Sequence, residues 1–186
     1  LCRDAFDEGR WDEATRTAEE GITWGEELGY RLVTRGGVYC RALVAAARGD
    51  ERTARALADE LVDWTARRGV GTLVDFAHRV RGLADLGRGD FASAYREFIE
   101  ISPAGQFLPY TPVAVTVALD LVEAAVRTRR NAEAAAHVAA MEQAPLFSGR
   151  PRYALVASGC AALVASTGEA SGLFERALAR PGAELY

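Results

Sequence analysis

The sequence predicts an all-α fold in which antiparallel helix pairs stack into a superhelix with repeats of about 40 residues. Two observations predict this fold. Nearly half of the residues are hydrophobic and the strong helix former Ala is abundant. In addition, a short motif recurs at an almost constant spacing, with copies that begin at Gly9, Gly49, Gly89, Arg130 and Gly168.

Each copy of the motif is typical of a helix, a tight turn and a second helix. Gly ends the first helix because Gly adopts the left-handed conformation of a helix end without steric cost. Asp50 and Asp90 are predicted to cap the next helix by accepting its free backbone N–H groups. Small residues recur where the two helices of a pair should cross, so we expect Ala54, Ala94 and Ala135 to be nearly fully buried.

Hydrophobic periodicity and turn residues predict the helices in order along the chain. They cover residues 1–8, 11–28, 31–48, 50–67, 70–87, 90–101, 112–129, 131–143, 151–166 and 169–180. These helices pair into units near 1–28, 31–67, 70–101, 112–143 and 151–180, which together form one helical-repeat domain over 1–186.

Individual residues support these boundaries. Gly29, Gly69 and Gly149 lie in connections between units, and Pro112 and Pro151 lie at helix starts, where the missing N–H has no cost. The helix after Asp90 shows the helical period most clearly, with apolar residues at Phe91, Ala94, Tyr95, Phe98 and Ile99. The weak point is the pair Gly36 and Gly37 inside the third helix, which predicts either a kink or a close helix contact.

Charge argues against nucleic acid as a direct partner of this segment. The net charge is −4, and the basic residues, all of them arginines, are scattered among acids instead of forming a basic patch. We interpret the absence of lysine as coding bias.

Cys2, Cys40 and Cys160 are far apart in sequence and indicate a reducing, cytoplasmic setting in which each thiol acts as a small core hydrophobe. We expect no membrane contact, because no signal peptide opens the chain and the uncharged run 153–168 is too short to span a bilayer.

The pattern Gly-x-aromatic-x-x-Ala at 9–14 and 89–94 resembles the tetratricopeptide repeat, although the period here is longer. The stretch 117–141 resembles the helical region of large ATP-binding LuxR-family transcription regulators. Three further segments resemble that region too, at 88–95, 101–105 and 181–184. This second resemblance covers 80–186 well and the part of the chain before it more loosely.

The resemblance implies a sensor region between an ATP-binding domain and a DNA-binding helix-turn-helix domain. ATP and DNA binding would belong to the parent protein, and no cofactor is expected in this chain, since a G-x-x-x-x-G-K-[ST] loop requires a lysine. The chain starts at Leu1 within a helical pattern and stops at Tyr186 without a closing element, so we expect a fragment of a longer protein.

One candidate interaction surface is the cluster of Asp75, His78 and Arg79. We interpret Asp75–Arg79 and Arg81–Asp85 as i,i+4 ion pairs on a solvated helix face, with ligand contact as the alternative. Catalysis is not expected, because no nucleophile–base–orienter set is present.

A second candidate is the polar stripe Thr116, Asp120, Glu123 and Arg127 on an otherwise apolar helix. It is either a solvated stripe with a Glu123–Arg127 pair or a contact for an effector or peptide on the concave face of the superhelix.

The third candidate is the long loop 102–111, whose Phe107, Leu108 and Tyr110 either cover the ends of neighbouring helices or form a lid. Glu133 and His137 have the spacing of metal ligands but lack a third ligand, so no metal site is expected.

The sequence therefore predicts a non-catalytic module that senses a small effector or a protein partner. The alternative is a generic adaptor or a self-association scaffold. Homo-oligomeric contacts are expected through the terminal helices, whose apolar residues are Trp11, Trp24, Leu173, Phe174 and Leu178.

Overall fold

The computed structural model is all-helical, which confirms the predicted all-α class, and no strand occurs among the residues that it describes. The superhelix of antiparallel helix pairs stays a prediction. Those residues are 1–66, 68–107, 112–148 and 151–179. The chain divides into two compact units, Leu1–Asp90 and Phe91–Tyr186. The prediction of a single repeat domain over 1–186 stays a prediction.

The first unit is built around its third helix. Its helices are α1 (Cys2–Asp7), α2 (Trp11–Glu27), α3 (Arg31–Ala47), α4 (Glu51–Ala66) and α5 (Thr72–Gly87). Helix α3 packs against each of the other four. The core of this unit therefore surrounds α3, where Tyr39, Leu43 and Ala46 pack with Leu61 of α4 and Val80 of α5.

The second unit is built around a helix that is apolar on most sides. Its helices are α6 (Phe91–Ile101), α7 (Pro112–Arg127), α8 (Asn131–Gln143), α9 (Pro145–Ser148), α10 (Pro151–Val164) and α11 (Thr167–Leu178). Helix α7 packs against α6, α8 and α10. Its side chains are mostly buried, from Val113 to Ala125, so the prediction that this helix is covered on most sides is confirmed.

The observed helices match the predicted ones to within a few residues. The four-residue helix Pro145–Ser148 was not predicted. Helix α11 begins at Thr167, so Gly168 lies in its first turn and not in the preceding connection as predicted. Each of the described helices is too short or too polar to cross a membrane.

One turn geometry recurs along the chain at even spacing. Gly9, Gly49, Gly89 and Arg129 are left-handed, with φ of 75°, 77°, 75° and 60°. In each turn, the N–H of the following residue donates to the carbonyl oxygen five residues before it. These bonds are Arg10→Ala5, Asp50→Ala45, Asp90→Asp85 and Arg130→Ala125, at 2.8–2.9 Å. This pattern closes the helix by satisfying carbonyl groups at its end.

The aspartate caps were predicted from the same motif. The backbone N–H of Thr53 donates to Oδ1 of Asp50 at 3.1 Å, which confirms the cap at Asp50. The cap at Asp90 stays a prediction.

The turn geometry corrects the predicted register of the fourth motif copy. The left-handed residue is Arg129, whereas Arg130, with φ of −88°, is the residue just before α8. The fourth copy therefore begins one residue earlier than predicted. The sequence did not show this because a non-glycine residue occupies the left-handed position.

The register decides which alanines are buried. Ala54 and Ala94 are 0% exposed, as predicted. Ala135 is exposed, so the prediction of its burial is wrong, and its neighbour Ala134 is 0% exposed instead. Ala134 follows Ala94 at the same interval at which Ala94 follows Ala54, so Ala134 is the true equivalent.

Leucine is expected to destabilise the protein at Ala134 and to have little effect at Ala135. Ala134→Leu should overpack the core and lower the free energy of unfolding by about 1–3 kcal/mol. Ala135→Leu should change it by less than about 0.5 kcal/mol, because the side chain points to solvent. Urea unfolding of both variants measures the difference, and equal effects would contradict the corrected register.

The two adjacent glycines of α3 have different surroundings. A Cβ at Gly37 would lie 2.6 Å from Cγ1 of Ile22 and 2.8 Å from the carbonyl oxygen of Ala18. At Gly36, by contrast, such a Cβ would have no described atom within 4 Å apart from its chain neighbours and the backbone of its own helix. Helix α3 runs through both positions, so the prediction of a close helix contact is confirmed at Gly37.

Alanine at these two glycines should therefore change stability in opposite directions. Gly36→Ala is expected to raise the free energy of unfolding by up to about 1 kcal/mol, because Ala favours the helix and meets open space. Gly37→Ala should lower it by about 1–3 kcal/mol, because the methyl group would press α2 away from α3. Thermal melts of the two variants provide the measurement, and a stabilised Gly37→Ala protein would refute the close crossing.

Candidate functional site

Arg79 of the first predicted surface is not on a solvated face. It is 7% exposed. Its Nη1 donates to the hydroxyl of Tyr39 at 2.8 Å, and its Nη2 lies 3.9 Å from Oδ1 of Asp7. Asp75 and His78 are half-buried. The interpretation of an exposed Asp75–Arg79 pair is therefore wrong, because the guanidinium turns inward to partners on α1 and α3.

The predicted Arg81–Asp85 pair is replaced by pairs with α4. Arg81 donates to Asp59 at 2.6 Å. Asp85 is 2% exposed and accepts from Arg55 and from Arg88. The i,i+4 spacing permits the Arg81–Asp85 pair, but Arg81 pairs with Asp59 of α4, and Asp85 with Arg55 of α4 and with Arg88 at the end of α5. The partners on α4 cannot be read from α5 alone.

The polar stripe of α7 makes local contacts. Arg127 donates to Glu123 at 3.3 Å, which confirms the predicted pair, and its guanidinium lies over the ring of Phe91 at 5.4 Å. The hydroxyl of Thr116 donates to a backbone carbonyl of its own helix at 2.7 Å. Asp120 and Glu123 are half-buried. Their role in binding an effector or peptide stays a prediction.

Phe107 is the residue of the predicted aromatic loop whose contacts are described. The ring of Phe107 meets the ring of Phe147 edge-on at 5.0 Å and that of His137 at 6.1 Å. Phe107 thus covers α8 and α9. Leu108 and Tyr110 lie outside the described residues.

His137 is a buried titratable group. It is 1% exposed, and its Nε2 has no hydrogen-bond partner among the described residues. Burial lowers the pKa of this imidazole to about 4. In α8, His137 lies on the same apolar face as the buried residues Ala134, Val138 and Met141. The burial of His137 could therefore be predicted from the sequence by following the helical period from Ala134.

A cavity in the first unit has a volume of about 410 Å³, within the usual range for small-molecule sites. It lies among α1, α2, α3 and α5. Its lining consists of Cys2, Arg3, Thr17, Ala18, Gly21, Val33, Gly36, Gly37, Tyr39, Cys40 and Phe76. Tyr39 and Phe76 form one wall, with their rings stacked at 4.0 Å. The remaining surface is largely apolar.

Missing side chains create this cavity. A Cβ at Gly21 or at Gly36 would meet no described atom within 4 Å apart from its chain neighbours and the backbone of its own helix, so the two helices leave open space where larger residues would fill it. The lining includes none of the candidate residues predicted from sequence. The group of glycines in α2 and α3 is the sequence feature that points to this place.

The structure corrects the prediction of separate core thiols. Cys2 packs against the buried cluster that contains Cys40, and interaction with the Cys40 thiol lowers the pKa of Cys2 to about 6. Cys2 is half-buried, whereas Cys40 is 1% exposed. Cys160 is fully buried in α10, as predicted for a core thiol.

An exposed apolar patch surrounds the turn between α2 and α3. Its large side chains are 58–66% exposed: Trp24, Leu28, Tyr30, Leu32 and Val33. In the last helix, Phe174 is 39% and Leu178 is 71% exposed. Association through these helices stays a prediction.

Comparison of the chain with models of protein families, with curated proteins and with solved structures found no match. Among the described residues, no group of three or more His, Cys, Asp or Glu side chains is placed to hold a metal ion. The geometry of the first unit is therefore the main basis for a functional proposal.

Proposed function

We propose that this chain is a non-catalytic sensor module in which the cavity of Leu1–Asp90 binds a small, largely apolar effector. The observation that carries the proposal is the cavity itself, with its volume of about 410 Å³. Gly21 and Gly36 keep it open at a cost in helix stability. A flat ring would pack against the stacked Tyr39 and Phe76.

The setting of the module follows from the sequence resemblance. We propose a tetratricopeptide-like superhelix, with the long repeat described above, from a cytoplasmic LuxR-type transcription regulator. The evenly spaced left-handed turns at Gly9, Gly49, Gly89 and Arg129 support the repeat. In this proposal, occupancy of the cavity is relayed to ATPase and DNA-binding domains of the parent protein. This chain contributes no catalytic residue and binds neither ATP nor DNA.

Filling the cavity tests the proposal. The uncharged fluorescent probe N-phenylnaphthylamine is titrated into the wild type and into Gly21→Leu and Gly36→Leu. We expect saturable binding to the wild type and about a tenfold or greater loss of affinity in both variants. Neither variant should melt at a lower temperature, because leucine enters open space and favours the helix.

Ala135→Leu is the matched control, because it adds the same side chain to an exposed position in the other unit. It should bind the probe as the wild type does. Failure of the wild type to bind, or unchanged binding by both glycine variants, would overturn the proposal.

The exposed patch favours a second candidate function, a self-association or adaptor scaffold. Under this alternative, sedimentation velocity shows concentration-dependent association of the wild type. Leu28→Glu with Leu32→Glu should then abolish the association, because two charges enter a desolvated contact. A monomer at all concentrations would exclude self-association through this patch.

A further inference from the structure

We infer that Cys2 and Cys40 form a thiol modification site on the cavity wall, where a small-molecule disulfide oxidises the pair to a disulfide that ties α1 to α3. This inference does not require the cavity to bind an effector. It assigns a chemistry to two residues that sequence spacing alone would leave as unrelated core thiols.

The first support is geometric. Cys2 begins α1 and Cys40 lies in the middle of α3, and both side chains line the same cavity. Cys2 packs against the buried cluster that contains Cys40, whose Sγ donates to the carbonyl oxygen of Ala14 at 3.8 Å. Because Cys2 is half-buried and Cys40 is 1% exposed, a reagent that enters the cavity reaches Cys2 first.

The second support is the division of roles between the two thiols. Interaction with the Cys40 thiol lowers the pKa of Cys2 to about 6, so that Cys2 is mostly thiolate at neutral pH. The same interaction, together with burial, raises the pKa of Cys40, which keeps its proton. Cys2 is therefore the attacking sulfur and Cys40 the resolving one.

The reaction balances with a disulfide RSSR as oxidant. The Cys2 thiolate attacks one sulfur of RSSR, forming a Cys2–SR mixed disulfide and releasing one RS⁻. Once Cys2 is part of the mixed disulfide, no thiolate charge remains beside Cys40. Cys40 then gives its proton to the released RS⁻ and attacks the Cys2 sulfur. The Cys2–SR bond breaks, a second RS⁻ leaves and takes a proton from water, and the product is the Cys2–Cys40 disulfide.

Cys160 provides an internal contrast. It is 0% exposed in α10, and burial raises the pKa of its thiol to about 12. It therefore remains a protonated thiol that a disulfide reagent does not reach. The inference predicts selective loss of two of the three thiols.

The experiment exposes the native, reduced chain to glutathione disulfide and measures intact mass and free thiols after denaturation. We expect the wild type and Cys160→Ser to lose two hydrogens in mass and two free thiols each. Cys40→Ser should stop at a single glutathione adduct on Cys2. Cys2→Ser should stay reduced, because the remaining thiols are protonated and buried.

A second measurement separates an internal crosslink from incidental oxidation. The disulfide should raise the melting temperature by on the order of 5–10 °C, since it closes a long loop in the unfolded chain. Dithiothreitol should reverse the rise, and Cys40→Ser should not show it. Stable adducts on the wild type without a crosslink, oxidation that requires Cys160, or crosslinked dimers would each overturn the inference.

Discussion

Replacing Arg79 with methionine is expected to lower the free energy of unfolding by about 3 kcal/mol, because the guanidinium holds together buried polar groups from three helices. Arg79 on α5 donates to the hydroxyl of Tyr39 on α3 and pairs with the carboxylate of Asp7 on α1. The variant removes both contacts where water cannot replace them. Urea denaturation measures the loss.

Arg81→Met is the matched control on the same helix. Arg81 pairs with Asp59, whose side chain is 65% exposed, so this pair should contribute less than about 1 kcal/mol. A double-mutant cycle with Tyr39→Phe then isolates the buried hydrogen bond. Similar effects of Arg79→Met and Arg81→Met would show that the buried network does not stabilise the fold as we argue.

Acid is expected to destabilise the protein through His137. Because burial lowers the folded-state pKa to about 4, against about 6.5 in the unfolded chain, the unfolded state takes up this proton first. The contribution of neutral His137 is therefore complete above pH 6.5 and is lost as pH falls towards 4. The total loss is roughly 3 kcal/mol, of which about 2 kcal/mol has occurred by about pH 5.

Stability curves between about pH 7.5 and about pH 5 test this expectation. His137→Leu should flatten the curve over this interval, whatever it does to stability at neutral pH. His78→Gln replaces the other histidine. This variant should lose stability towards acid as the wild type does, because we assign that loss to His137. An unchanged slope in His137→Leu would refute the assignment.

The candidate site and the family resemblance lie in different parts of the chain. The resemblance to LuxR-type regulators is carried mainly by residues after 80, whereas the cavity and the thiol pair belong to Leu1–Asp90. In our proposal, the resemblance therefore supplies the setting of the module, whereas the cavity supplies the place for an effector.

The sequence by itself determined the helices and most of their ends. The helical period of apolar residues sets which segments fold as helices, and glycines at 9, 49 and 89 set where the chain turns, because these rules act within a few neighbouring residues. The burial of Ala54 and Ala94 and the Glu123–Arg127 pair follow from the same local patterns.

Only the tertiary structure decided what depends on contacts between helices. The inward turn of Arg79, the pairing of Asp85 with Arg55 and the packing of Cys2 against the cluster of Cys40 each join residues at least 30 positions apart. Helices α2 and α3 cross closely at Gly37, and the cavity is the space beside this crossing that their side chains leave empty. A helical period states which face of a helix is apolar, but the partner of each side chain is set by how neighbouring helices pack against that face.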